Sequence, residues 1–111
     1  MGFQGHQARK RFGQHWLKDQ TVLERIVAAA ALQPSDRVLE VGPGRGALTE
    51  RLLSSPAAAV HAVELDRDLV DGLRDRFADD QRFSLRQGDV LELPLELEDG
   101  LAASKVVANI P

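Results

Sequence analysis

The sequence has no cysteine, no apolar run of membrane-spanning length and no excess of positive charge, and each absence removes a class of function. Without cysteine in 111 residues there are no disulfides, no thiolate metal sites and no cysteine nucleophile, and a reducing cytoplasm is the simplest setting. Crossing a bilayer takes roughly 20 consecutive apolar residues, and nothing here approaches that. The N-terminus also lacks the basic-then-apolar order of an export signal. A soluble cytoplasmic protein without a membrane partner or a metal is expected. The net charge is −3, so the chain as a whole is not the basic object expected of a dedicated nucleic-acid binder. Its one basic cluster, Arg9, Lys10 and Arg11 with Lys18 nearby, is a candidate RNA contact that reads as readily as solvated surface.

What is present suits one small domain or a piece of a larger one, with an ordinary hydrophobic fraction of 43%. Residues 1–8 are polar and without periodicity, and a disordered tail is expected there, with the ordered part over 9–111. Asp19 has the character of an N-cap, and Val22, Ile26, Val27 and Ala30 give a helical stripe that ends before Pro34. Arg37 to Val41 reads as a strand, Ala47 to Leu53 as a helix, and Ala58 to Glu64 as a buried parallel strand. Asp66 can cap a further helix with Leu69, Val70, Leu73 and Phe77 on one face. Phe83 and Leu85 alternate with polar neighbours as a third strand, and Lys105 to Ala108 is a fourth short run. The stretch Leu91 to Leu97, which alternates apolar and acidic residues around Pro94, fits an edge strand or an extended loop. Strands alternating with helices imply an α/β fold around a parallel sheet.

Between the first strand and its helix stands "VGPGRGA". Gly42, Gly44 and Ala47 fit the G-x-G-x-x-G/A fingerprint of a nucleotide-binding turn, with Gly46 as an addition. The acidic residue expected about 20 positions later, to hold ribose hydroxyls, is Glu64. This pairing suits both NAD and S-adenosylmethionine. Three residues lean toward the second. Glu40 sets a carboxylate at the loop entrance, where a sulfonium and an amino group are better accommodated than a pyrophosphate, which favours bare helix N-terminal amides. Asp89 follows the third strand in "GDV", where it can accept a hydrogen bond from an adenine amine, and Asn109 follows the fourth.

The segments "RFGQHWL", "VLEVGPGRGALT", "VEL", "GDV" and "NIP", in this order and spacing, resemble the ribosomal RNA adenine dimethyltransferases, and among them the small-subunit enzymes most. The resemblance runs from about Arg9 to Pro111. It implies a Rossmann-like S-adenosylmethionine-dependent methyltransferase fold, truncated here because the family's chains are more than twice this long. By the same resemblance, His15 and Leu17 lie over the methionine end of the cofactor and Gly42 and Gly44 form the loop contact. Glu64 binds the ribose, Asp89 meets the adenine, and Asn109, Ile110 and Pro111 form the catalytic motif. His15 and Trp16 depart from the asparagine and phenylalanine common at their positions. The implied activity is dimethylation of two adjacent adenosines near the 3′ end of small-subunit ribosomal RNA, on a pre-30S particle, by an enzyme monomeric at full length. This chain alone is expected to bind cofactor without turnover. The alternatives are a large-subunit RNA methylase conferring macrolide resistance, part of an NAD-dependent oxidoreductase, and a relative that binds RNA without catalysis. The strand carrying "VVAN" is expected beside the first strand, with Val106 and Val107 on an open edge that Lys105 protects only partly.

Overall fold

The structure is a computed structural model that describes residues 20–93 and 102–108. The expected tail over 1–8 and the Asp19 cap lie outside the described residues. A helix α1 over 20–30 leads into β1 (Arg37–Val41), α2 (Ala47–Leu53), β2 (Ala59–Glu64), α3 (Arg67–Arg76), β3 (Phe83–Gln87), a single 3₁₀ turn (Val90–Glu92) and β4 (Lys105–Ala108). The strands form one sheet in the order β3-β2-β1-β4, and every pair is parallel.

This order dictates where the layers go. Each crossover from β1 to β2 and from β2 to β3 steps in the same direction, and right-handed crossovers then leave their helices on the same face. That face carries Val38, Val60, Ala62, Leu85 and Val107, packed against Leu23 of α1, Leu48 and Leu52 of α2, and Val70 and Leu73 of α3. After β3 the chain must return past β2 and β1 to reach β4, and Val90, Leu93 and Ala103 accordingly pack on the opposite face, against Leu39 and Val63. The direction of winding reverses between β1 and β4, and open α/β sheets bind ligands above such a reversal, at the carboxyl ends of the strands.

Helix α1 buries Leu23, whereas Val22 is exposed. The stripe is therefore Leu23, Ile26, Val27 and Ala30, a fuller i, i+3, i+4, i+7 pattern than one starting at Val22. The α3 stripe is as expected: Val70 and Leu73 are buried, with Leu69 and Phe77 packed beside them. Asp66 caps α3 by accepting the Asp68 N–H at 2.9 Å.

The lower end of the sheet, where the strands begin, is held by polar clamps. Ala31 takes a left-handed conformation (φ 48°) after α1, and the Lys105 ammonium donates to the Ala30 and Ala31 carbonyls at 2.5 and 2.9 Å. A cation at a helix C-terminus satisfies carbonyls that have no partner within the helix and complements its dipole. The same ammonium lies 3.0 Å from Asp36 Oδ2, and Asp36 also accepts the Gln33 N–H and the Ser104 hydroxyl. Lys105, at the start of the edge strand β4, thus ties it to the end of α1. Among the described residues β4 is the edge strand beside β1, as expected, but its side chains divide: Val107, at 8% exposure, belongs to the core, and Val106, at 61%, is exposed. The alternation of a strand separates the two neighbours onto opposite faces. Just before β3, Arg82 donates to the carbonyls of Leu53, the last residue of α2, and of Ser55 and Ala57 after it, while Asp80 accepts from the same guanidinium through both oxygens.

Candidate methyl-donor site

The upper end of the sheet gathers the glycine turn and three of the expected acidic residues. Three glycines of the turn take positive φ: Gly42 at 69°, Gly44 at 59° and Gly46 at 93°. They do different work. A Cβ on Gly42 would meet nothing within 4 Å, so space above the turn is open to a ligand, and the backbone angle is what requires glycine there. A Cβ on Gly46 would come within 2.9 Å of the Phe77 ring and 3.0 Å of Arg76. Close packing against the end of α3 therefore falls on Gly46, while Ala47 packs against the core. Phe77 closes the turn from α3, with the Arg76 guanidinium over its ring and donating at 2.6 Å to the Arg45 carbonyl.

Glu64 ends β2 and anchors the turn. Its Oε1 accepts the Gly44 N–H at 2.9 Å and its Oε2 the Asp66 N–H at 2.8 Å. Each carboxylate oxygen has two acceptor directions, so both can still take a ribose hydroxyl. Asp89 lies two residues beyond β3, where the Gly88 N–H bonds the Glu64 carbonyl at 2.9 Å. Asp89 Oδ1 accepts the Leu91 N–H and caps the 3₁₀ turn. Glu64 and Asp89 are thus brought to neighbouring strand ends.

Glu40 does not stand open at the loop entrance. It is 1% exposed, beneath the turn on the helix-covered face, and its Oε1 accepts the hydroxyl of Thr49 at 2.5 Å. Burial pushes its carboxyl up to about 7; the Thr49 hydrogen bond opposes the rise and the Glu64 charge adds to it. Among the described residues no salt bridge reaches Glu40, Glu64, Asp66 or Asp89. Their hydrogen-bond donors are backbone N–H groups and one hydroxyl, while the Arg76 guanidinium at the turn is paired with Glu50. That donor set suits a cationic sulfonium and ammonium and opposes a pyrophosphate.

Sequence reasoning missed three residues. Thr49 belongs to the quoted motif but carries no signal of a polar contact nine positions back. Leu65 and Leu91, 66% and 89% exposed, follow Glu64 and Asp89 by one and two positions and are large apolar side chains at the same sheet end; an apolar residue close after each of these acids was the available clue. His15, Leu17, Asn109, Ile110 and Pro111, and the basic residues Arg9, Lys10 and Arg11, lie outside the described residues. The described residues hold no group of three or more potential metal ligands and no helix long and apolar enough to cross a membrane.

Known proteins are similar to this chain in sequence and in fold. A ribosomal RNA small subunit methyltransferase A of Parasynechococcus marenigrum (strain WH8102) is 92% identical over the whole chain, which spans 37% of that relative's length. Among solved structures, a dimethyladenosine transferase from Plasmodium falciparum is similar with a TM-score of 0.71 and 28% identity, over 82% of this chain and 32% of its own. The 23S rRNA methyltransferase ErmE matches with a TM-score of 0.68 and 31% identity, over 84% of this chain and 36% of its own. Residues 5–111 match the family described as ribosomal RNA adenine dimethylase, and with the parallel sheet, the glycine turn and the acids above it, the chain belongs to that family.

Proposed function

We propose that this chain is the cofactor-binding part of an S-adenosylmethionine-dependent enzyme that dimethylates two adjacent adenosines near the 3′ end of small-subunit ribosomal RNA during ribosome biogenesis. The observation that carries the reading is the 92% identity, along every residue, to a protein named for the small subunit. The 31% identity to a 23S rRNA methyltransferase is the lesser support for a large-subunit target. The acids Glu40, Glu64 and Asp89, which no salt bridge reaches among the described residues, support the cofactor and disfavour NAD. The setting is the cytoplasm, the substrate a pre-30S particle, and the full-length enzyme works as a monomer.

Bound at the upper end of the sheet, S-adenosylmethionine would supply a methyl group already activated by its sulfonium. The chain's residues orient the partners. Glu64 accepts from the ribose hydroxyls, Asp89 accepts from the adenine amine, and Leu65 and Leu91 offer apolar walls to that ring. His15 and Leu17 cover the methionine end, and the glycine turn lets backbone approach the ligand. The target amine is a poor nucleophile because its lone pair is delocalised into the ring. The Asn109 side-chain oxygen and the Ile110 carbonyl accept its two hydrogens and favour a pyramidal nitrogen, on a backbone that Pro111 restrains. Catalysis is then mainly orientation and placed dipoles. The target base must leave its stack to reach them, and Arg9, Lys10 and Arg11 contact the RNA backbone. The chain alone binds cofactor without turnover.

Calorimetric titration tests this reading. The chain should bind S-adenosylmethionine and not NAD, and Glu64→Ala should weaken binding roughly ten- to a hundredfold, the effect of losing charge-assisted hydrogen bonds. Affinity unchanged by Glu64→Ala refutes the ribose assignment.

A further inference from the structure

Thr49 has no part in that scheme, yet it is wholly buried in the first turn of α2 and spends its proton on Glu40. A helical threonine ordinarily satisfies its hydroxyl on a carbonyl of the preceding turn. Here it reaches across to the neighbouring strand instead. Among the described residues, Thr49 is the one hydrogen-bond partner of the Glu40 carboxyl.

The groups around Glu40 leave its charge finely held. On β2 the charged neighbour is Glu64, which disfavours a second negative charge. On β4 its register partner is the apolar Val107. From α1 the core receives Leu23 while Glu24 and Arg25 are exposed, and from α3 it receives Val70 and Leu73. His61 lies on the other face of the sheet, 2.6 Å from Ser84 Oγ. Among the described residues only the Thr49 hydroxyl, donated from α2, favours the carboxylate.

We propose that Thr49 is a positioning residue of the methyl-donor site: by holding Oε1 of Glu40 it keeps that carboxylate available in its charged form, so that a cationic ligand binds with loss of the Glu40 proton to solvent. The inference rests on the reading of the site as one for S-adenosylmethionine. It makes affinity for the cation rise as pH rises through neutrality, and it assigns the steepness to Glu40 and the midpoint to Thr49.

Two measurements on this chain separate the inference from the reading beneath it. In ligand-free protein, the Glu40 side-chain carboxyl is followed by carbon NMR against pH, with amide spectra establishing that each variant is folded. Thr49→Val should raise the Glu40 midpoint by about one pH unit, the loss of a hydrogen bond to the charged form, and Thr49→Ser should restore it. Thr49→Ala gives the same reading should the valine variant unfold. Titration of S-adenosylmethionine near pH 6.5 in buffers of different ionisation enthalpy should then show proton release by the parent and none by Glu40→Gln. A midpoint indifferent to Thr49→Val, or not restored by serine, overturns the role of Thr49 even if the ligand binds. Failure of the parent to bind S-adenosylmethionine overturns the cofactor reading and the proton release with it, while the ligand-free titration still decides whether Thr49 governs Glu40.

Discussion

At the lower end of the sheet Asp36 and Asp80 each meet a cation, whereas at the upper end, among the described residues, Glu40, Glu64 and Asp89 do not, and the ion pair there joins Glu50 of α2 to Arg76. Asp36 accepts the Gln33 N–H and faces Lys105, and these hold its carboxyl below the ordinary value. Asp80 is lowered likewise, first by its hydrogen bonds from Arg82. Glu40 moves the opposite way, because burial is opposed only by a hydroxyl. One sheet thus carries acids tuned in two directions. The charges of Asp36 and Asp80 are neutralised within the chain, whereas those of Glu40, Glu64 and Asp89 meet no cation among the described residues.

The largest test of this contrast is at the glycine turn. Gly46→Ala sets a Cβ against the Phe77 ring on a backbone with φ 93°, and overpacking plus a left-handed backbone should cost on the order of 3 kcal/mol or more, read by denaturant unfolding. A loss below about 1 kcal/mol would show that Phe77 yields freely and that the turn is not rigidly shaped.

Next comes pH. A Glu40 carboxyl raised from 4.5 to about 7 binds its proton more tightly in the folded state. Its contribution is fully present below about 4.5, is lost as pH rises toward 7, and is gone above. Asp36 and Asp80 contribute above the ordinary aspartate value of 3.8 and lose that contribution as pH falls through their lowered values. The two ends therefore respond to pH in opposite senses. Glu40→Gln, which keeps an acceptor for Thr49, should raise stability at pH 8 by on the order of 3 kcal/mol and flatten the decline between pH 4.5 and 7. Thermal unfolding across that range checks it, and an unchanged slope would assign the decline to other groups.

The smallest effect belongs to the lower end. Arg82→Ala leaves the carbonyls of Leu53, Ser55 and Ala57 without their donor and should cost about 2 kcal/mol in unfolding free energy. The folded fraction should keep its affinity for S-adenosylmethionine. A parallel loss of affinity would erase the division of labour between the two ends.

The regular elements were legible because periodicity and breakers are local. Arg37–Val41, Ala47–Leu53 and Lys105–Ala108 have the limits read from sequence, and β2 begins one residue later than its apolar run. The stretch after Asp89 was not legible: the chain makes a 3₁₀ turn over Val90–Glu92, capped by the Asp89 side chain, where alternation left strand and loop open. Glu40 and Glu64 were found through their spacing from the glycines, and Asp89 through its place after the third strand. Their surroundings were not, because the Thr49 hydroxyl, the reach of Lys105 to α1 and the grip of Arg82 on α2 are polar contacts between distant segments that leave no period in the sequence.

The strand order also governs how the chain must assemble. β1 lies inside the sheet, yet the neighbour on its β4 side comes from residues 105–108, and the Arg37 N–H waits for the Ser104 hydroxyl 67 positions later. Closing so long a loop is the entropically slow step of folding. A nascent chain can pair β1, β2 and β3 as they emerge, but the β1–β4 reversal on which a ligand would settle comes into being only after β4 has left the ribosome. The candidate site is therefore the last part of this sheet to exist, and a chain stalled before Lys105 would present β1 as a raw edge to any other strand in reach.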